Sequence, residues 1–268
     1  KNISFEHRFG EQKNERLPEL AADLVRLKVD LIVVTAAAVA LAAKKTTTTI
    51  PIVMTSAADP VGSGLIDSLA RPGGNVTGLS ALATELNTKR LEILKDVVPK
   101  LARVGLLRTS GGAIGGIDAQ LKELRAAAPK LKLKLAEIET QFDAKGLESA
   151  FQIAKQKQVS AIITTTATTF FSERKRIVEL AAKYRLPAIY PQDDFVEVGG
   201  LMFYGADYVD LFRRAAHYVD KILKGAKPAD LPVQQATKFE FIINLKAAQQ
   251  IGLTIPPRVL ERANKVIK

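Results

Sequence analysis

Cysteine and tryptophan are absent from these 268 residues, and histidine and methionine occur twice each. Without cysteine there is no disulfide, no thiol nucleophile and no thiolate-held zinc or iron–sulfur centre. Such a chain is compatible with an oxidising compartment but does not require one. No apolar run reaches the ~18–20 residues of a membrane span, so direct membrane insertion is not expected. The two histidines, His7 in an N-terminal strand and His217 on a helix among polar neighbours, read as structural or solvated. No nucleophile–base–acid order is visible, so no catalytic residue is assigned. Aromatic residues make up only 6% against a hydrophobic content of 47%, so any core is aliphatic. The net charge of +11 raises the question of nucleic acid. The cations are scattered and interleaved with acids, as in Glu173-Arg174-Lys175-Arg176 followed by Glu179, and no basic run alternates with aromatics. That pattern is a solvated surface, not a nucleic-acid track.

What is present centres on residues 50–80. Ile50–Met54 is a β-branched apolar run of strand length. Thr55, Ser56, Ala57, Ala58, Asp59 and Pro60 follow it directly. Small residues at the carboxyl end of a strand leave room above a sheet edge, where ligands bind in open α/β sheets. Asp59-Pro60 predicts a helix over 61–70, with Asp59 as cap and its positive end toward that room. Pro72-Gly73-Gly74-Asn75 ends it, and Val76–Ser80 reads as a strand.

Strand and helix alternate throughout. Strands are expected at Ile3–Phe9, Leu31–Val34, Val104–Leu107, Leu131–Ile138, Ala161–Ile163, Ala188–Tyr190, Leu201–Tyr204 and Thr237–Ile243. Helices are expected at 15–29, 39–45, 86–98, 117–128, 144–157, 173–184, 211–223, 245–251 and 258–267. This is the rhythm of parallel sheets covered on both faces. The unit runs through 1–80 and again through 103–200, which suggests two similar lobes. Three extended segments, Val76–Ser80, Leu201–Asp207 and Thr237–Ile243, could carry the chain between them.

The strings IPIVM…ADPVGSGLIDSLARPGGNVTGLS and LPVQQATKFEFIINLKAAQQIGLTIPP closely resemble the ABC transporter substrate-binding protein family that includes tryptophan-binding, TrpX-like members. The resemblance covers essentially the whole chain. It implies a type I periplasmic-binding-protein fold: two Rossmann-like parallel-sheet lobes, a three-strand hinge and a small molecule held between the lobes. On that pattern 1–79 plus 207–237 form the N-terminal lobe, and 80–206 plus 238–268 the C-terminal lobe. The resemblance also implies that an export signal and a first strand–helix unit precede Lys1. A lobe without that unit would have exposed strand edges. The loop Arg108-Thr109-Ser110-Gly111 departs from the Asn-Pro type associated with the family.

Polar or small residues recur directly after the buried strands, and these are the candidate ligand contacts: Thr35, Ala36, Ser56, Ala57, Ala58, Asp59, Ser80, Thr109, Ser110, Thr165, Thr166, Gln192, Asp194, Tyr204 and Asp207. Hydroxyls suit a carboxylate, and a carboxylate side chain suits an ammonium or hydroxyl group. Singly, each serine or threonine reads better as a helix cap; as a set lining one cleft, they read better as few polar anchors in a concave site. Asp59 reads as a cap. Asp207, beside Tyr204 and Tyr208, suits an ammonium group or a hinge hydrogen bond. Tyr204 and Phe170 could stack on a flat ligand, with a core role the alternative for Phe170. The doublet Asp193-Asp194 lacks a third acid for calcium. Gly62-Ser63-Gly64 lacks the third glycine of a dinucleotide fingerprint, Asp67 standing in its place, and Gly111-Gly112 with Gly115-Gly116 is a βα loop without a phosphate-loop lysine. No metal and no cofactor is expected.

The reading is a non-enzymatic solute-binding component of an ABC importer. It would deliver an amino acid, aromatic or otherwise, or a related carboxylate to a membrane permease, and act in the periplasm or as a cell-surface lipoprotein. The alternatives are the ligand-sensing core of a two-lobe regulator or receptor, which would need an attached DNA-binding or signalling segment, and an α/β enzyme.

Overall fold

The structure, a computed structural model, describes residues 3–11, 13–109, 117–141 and 143–268. The chain begins with α1 (Leu17–Arg26), β1 (Ile32–Val34), α2 (Ala37–Thr46), β2 (Ile52–Ala57) and β3 (Val76–Ser80). It continues through α3 (Leu86–Val97), β4 (Arg103–Thr109), α4 (Ile117–Lys130), β5 (Lys134–Thr140), α5 (Ala144–Gln156) and β6 (Ala161–Ile163). Then come α6 (Thr168–Ser172), α7 (Arg174–Lys183), β7 (Ala188–Tyr190), α8 (Asp194–Glu197) and β8 (Met202–Ala206). The last elements are α9 (Tyr208–Leu223), β9 (Gln234–Gln235), β10 (Phe239–Asn244), α10 (Leu245–Gln250), α11 (Pro257–Leu260) and β11 (Lys265–Ile267). Two compact units result, Lys1–Leu82 with Tyr208–Ala236, and Ala83–Asp207 with Thr237–Lys268. The chain therefore passes between units at 82/83, 207/208 and 236/237. Ser80, expected to open the second lobe, closes β3 within the first unit.

The first unit is built on a sheet of order β1-β2-β3-β9, parallel at every pairing. Small residues on α2, Ala37, Ala40 and Ala43, are buried with Ile32, Val34, Ile52 and Met54 in one cluster. Alanine on the inner stripe lets a helix lie close to its sheet. On α9, Leu211, Ala215, Tyr218 and Ile222 form the buried stripe at helical spacing. The returning segment is fastened by two hydroxyls: Thr77 Oγ1 donates to Leu231 O (2.6 Å) and Tyr218 Oη to Pro232 O (2.5 Å).

The second unit is built on a sheet of order β11-β10-β8-β7-β6-β4-β5, in which β10 runs antiparallel to β8. Strand alternation sorts its side chains into two cores. Val104, Leu106, Ile163 and Ile189 pack with α3 and α4 residues such as Leu91 and Leu124. Leu107, Ile162, Ala188 and Tyr190 pack with α5 and α7 residues such as Phe151 and Ile177.

Three expected elements are replaced. The helix over 61–70 is a single turn. Gly64 N–H donates to Val61 O and Leu65 N–H to Pro60 O, with Gly64 in the left-handed region at φ 72°. That is a Schellman closure, and it stops the turn at once. Glycine at 62 and 64 weakens a helix, while Leu65 and Ile66 gain more by turning into the core. The expected helix end facing a ligand therefore does not exist. Ile3–Phe9 forms no ladder; Phe5 and Phe9 are 75% and 71% exposed, and alternation without a paired neighbour does not make a strand. The helix over 258–267 gives way to α11 and β11. Asn264 exchanges two bonds with Phe241, N–H to O and Oδ1 to N–H, both 2.8 Å, and starts a strand parallel to β10. The helix expected over 173–184 is α7, and the short α6, which was not expected, precedes it. The two-residue β9 had no apolar signal, being Gln-Gln.

Among the described glycines of the first unit, Gly78 lies closest to the backbone of a neighbouring strand. It lies in β3 at φ 130°, and an added Cβ would stand 2.1 Å from Met54 O on β2, beside that strand's register shift. Gly78→Ala is expected to lower unfolding free energy by about 2–4 kcal/mol, read as a lowered urea midpoint. A midpoint matching that of the unsubstituted protein would show that β3 can retreat from β2.

Candidate functional site

Parallel strands deliver their carboxyl ends to one edge, so the candidate residues fall into two groups, one per unit. In the first unit the edge carries Thr35 and Ala36 after β1, Ser56 and Ala57 at the end of β2, Ala58 and Asp59 beyond it, and Ser80 at the end of β3. Ser56 Oγ donates to Thr35 O at 2.7 Å, which ties the first two strand ends together. Asp59 Oδ1 accepts from Gly62 N–H at 2.8 Å, the expected cap bond, but on a turn in place of a helix. Ser80 is buried; its carbonyl accepts from Ala236 N–H at 2.8 Å, next to β9. Ala57 and Ala58 are buried and contribute only space.

In the second unit the edge carries Thr109 at the end of β4, Thr164–Thr166 after β6, Gln192 and Asp194 after β7, and Asp207 after β8. Ser110 and the glycine loop 111–116 lie outside the described residues. Thr164 and Thr165 are 0% and 1% exposed, yet neither hydroxyl has a hydrogen-bond partner among the described residues. Thr166 is held by Gln120 of α4: Nε2 donates to Thr166 Oγ1 (2.7 Å), and Oε1 accepts from Thr166 N–H (3.1 Å). Asp207 N–H donates to Lys238 O at 3.0 Å. Tyr204 is half-buried in β8 and meets Phe241 edge-on at 6.2 Å. Phe170 is fully buried in the core, the role weighed against ligand stacking. His7 stacks between Phe5 and Phe9, at 6.1 and 5.9 Å, and His217 lies on the exposed side of α9.

Two acids at this edge hold their protons more tightly than usual. Burial pushes the Asp193 carboxyl above its ordinary range, with Asp194 and Glu197 adding to it. Glu240, opposite Gly205 on β10, is raised first by burial and then by the charges of Asp207 and Asp193. Among the described residues no three His, Asp or Glu side chains are placed to hold a metal ion.

Sequence reading missed Gln120, Glu240 and Asn87. The signal for two of them was available. Gln120 shares the buried stripe of Ile117, Leu121 and Leu124, and Asn87 that of Arg90, Leu91, Leu94 and Val97. A polar residue on an apolar stripe must find a partner or leave one wanting.

Two parallel-sheet α/β units linked by three chain passages define the type I class of periplasmic-binding-protein folds. The model of the ABC transporter substrate-binding protein family matches residues 1–267, and the chain belongs to that family. A tyrosine-binding protein of Clostridioides difficile (strain R20291) is 27% identical over 248 residues, 91% of this chain and 69% of the relative. The crystal structure of a conserved domain protein from Vibrio cholerae is similar with a TM-score of 0.91 and 31% identity, over 99% of this chain and 88% of that one. The ABC domain from Streptococcus pneumoniae in complex with L-Trp gives 0.86 and 30%, over 95% and 86%. The family binds small solutes and works with a transporter. No helix among the described residues is long and apolar enough to cross a membrane.

The raised acids set a pH dependence. A carboxyl whose folded pKa lies above its unfolded value binds protons better when folded, so its contribution to stability is present at low pH and lost as pH rises through the folded value. Glu240→Gln stays neutral throughout. It should melt higher than the unsubstituted protein at neutral pH, and the gain should vanish as pH falls below the ordinary glutamate range, about pH 4. Differential scanning fluorimetry across pH 3.5–8 checks this; a gain independent of pH would assign the effect to packing.

Proposed function

We propose that this protein captures an aromatic amino acid, or a closely related aryl carboxylate, outside the cytoplasmic membrane and hands it to the permease of an ABC importer without changing it chemically. The observation that carries the choice of solute is the strand edge of the second unit. It combines hydroxyls that lack partners among the described residues, at Thr164 and Thr165, with acids held above their ordinary pKa, at Asp193 and Glu240. Donors for a carboxylate and charges for an ammonium thus stand on one edge, as a zwitterion requires. The tyrosine-binding and L-Trp-bound relatives support an aromatic side chain. Asp207 takes the ammonium in this reading, Thr165 and Thr166 bind oxygen, and Thr35, Ser56, Ser80, Thr109, Gln192, Asp194 and Tyr204 are further contacts. Site of action is the periplasm or, with a lipid anchor, the cell surface.

Thermal-shift screening of the purified chain with L-tyrosine, L-tryptophan, L-phenylalanine and benzoate, followed by calorimetry, tests this. At least one is expected to bind and to be recovered unchanged by mass spectrometry. Asp207→Asn should weaken an amino acid by at least about 10-fold, and leave the matching arylpropionate, which has no ammonium, within about threefold. Consumption of the solute, or no binding across the set, would overturn the proposal.

A further inference from the structure

The start of α3 holds a group of donors that the site described above does not use. Asn87, on the first turn of this helix, is 0% exposed, and its Nδ2 has no hydrogen-bond partner among the described residues. The hydroxyl of Thr84, one turn earlier, is likewise buried without a partner among the described residues. The two residues are joined through the backbone, Asn87 N–H donating to Thr84 O at 3.1 Å. A buried amide or hydroxyl left unmatched costs about 1–3 kcal/mol, so both atoms call for an occupant.

The orientation of the Asn87 amide is fixed by a neighbouring charge. Arg90 is 1% exposed; its Nη1 donates to Asn87 Oδ1 at 2.8 Å and to Ala83 O at 3.1 Å, and its Nε donates to Tyr204 O at 2.8 Å. The reversed amide would set NH2 against a guanidinium, donor against donor, so the oxygen must face Arg90 and the nitrogen the other way. Nδ2 therefore offers hydrogens only. The guanidinium behind it and the positive end of a twelve-residue helix favour negative charge and disfavour an ammonium. Through Tyr204 O the same arginine attaches this group to β8, two residues short of that strand's end.

We propose that Thr84 and Asn87 form a subsite for a carboxylate oxygen of the bound solute, with Arg90 as the positioning residue that keeps the Asn87 amide donor-outward. The subsite rests on the amino-acid reading above and adds a second anchor to it. The carboxylate then has donors from α3 as well as from the threonines after β6, and the ammonium goes to the acids beyond β7 and β8.

Calorimetry of the full chain with L-tyrosine and with tyramine, which keeps the ring and ammonium but has no carboxylate, tests the assignment. Asn87→Asp retains the acceptor for Arg90 and replaces the free donor by a negative charge. It is expected to weaken L-tyrosine by at least about 30-fold and tyramine by less than about threefold, and Thr84→Val should weaken L-tyrosine in the same direction by less. An unchanged tyrosine affinity, or equal losses for both compounds, would overturn the subsite, because a merely structural role does not distinguish them. The Asn87 side-chain amide resonances, assigned by their loss in Asn87→Asp, should also move on titration with sodium acetate. Resonances that stay put with acetate would mean a group satisfied by water only, and would overturn the subsite. Should the unsubstituted protein bind none of the amino acids, the proposed solute class falls, while the acetate titration still decides whether Thr84 and Asn87 receive a carboxylate.

Discussion

Parallel pairing is the constraint on which the rest of this molecule depends. Two parallel neighbours cannot be joined by a hairpin, so each strand is followed by a crossover that returns the chain to the opposite edge. The carboxyl ends of the strands that run parallel then fall on one side of each sheet, while β10 and β11 run the other way. Thr35, Ser56 and Ser80 meet there in the first unit, and Thr109, Thr164 and Asp207 in the second, although each group is scattered over tens of residues. Polar side chains within the strands would disrupt the aliphatic cores; at the strand ends they cost little and stay available to a solute.

This explains why so much of the arrangement was legible in the sequence. Apolar runs such as Ile52–Met54 and Ala161–Ile163 are buried on both faces, and helices such as α3, α5 and α9 carry a clear inner stripe. What failed were segments where a local pattern competed with a nearby closure or pairing. Residues 61–70 have helical spacing, but Gly64 can adopt φ 72° and ends the turn after Ser63. Residues 265–267 could continue a helix, but Asn264 finds Phe241 and the open side of β10. Ile3–Phe9 alternates like a strand and pairs with nothing among the described residues. Pattern reports what a segment would bury; only the neighbour decides whether it does.

The site was half legible for a related reason. Hydroxyls and acids directly after strands can be found by position. Gln120, Asn87 and Arg90 lie inside helices and resemble errors in an apolar stripe. The buried partners of two of them explain their presence. Gln120 holds both polar groups of Thr166, and Arg90 fixes an amide and two carbonyls. A cation buried to that degree is expensive to desolvate, and its hydrogen bonds to oxygen acceptors offset that cost.

The order in which the units close along the chain has a consequence for synthesis. The first unit needs α9 and β9, residues 208–235, to cover its sheet and supply its fourth strand. Those residues follow nearly the whole of the second unit. On the ribosome β3 must therefore wait, one side open, while more than a hundred residues are made, and the second unit waits in turn for β10. Neither unit can complete its sheet until residues beyond 207 emerge, so the nascent chain keeps open strand edges until its last quarter is made.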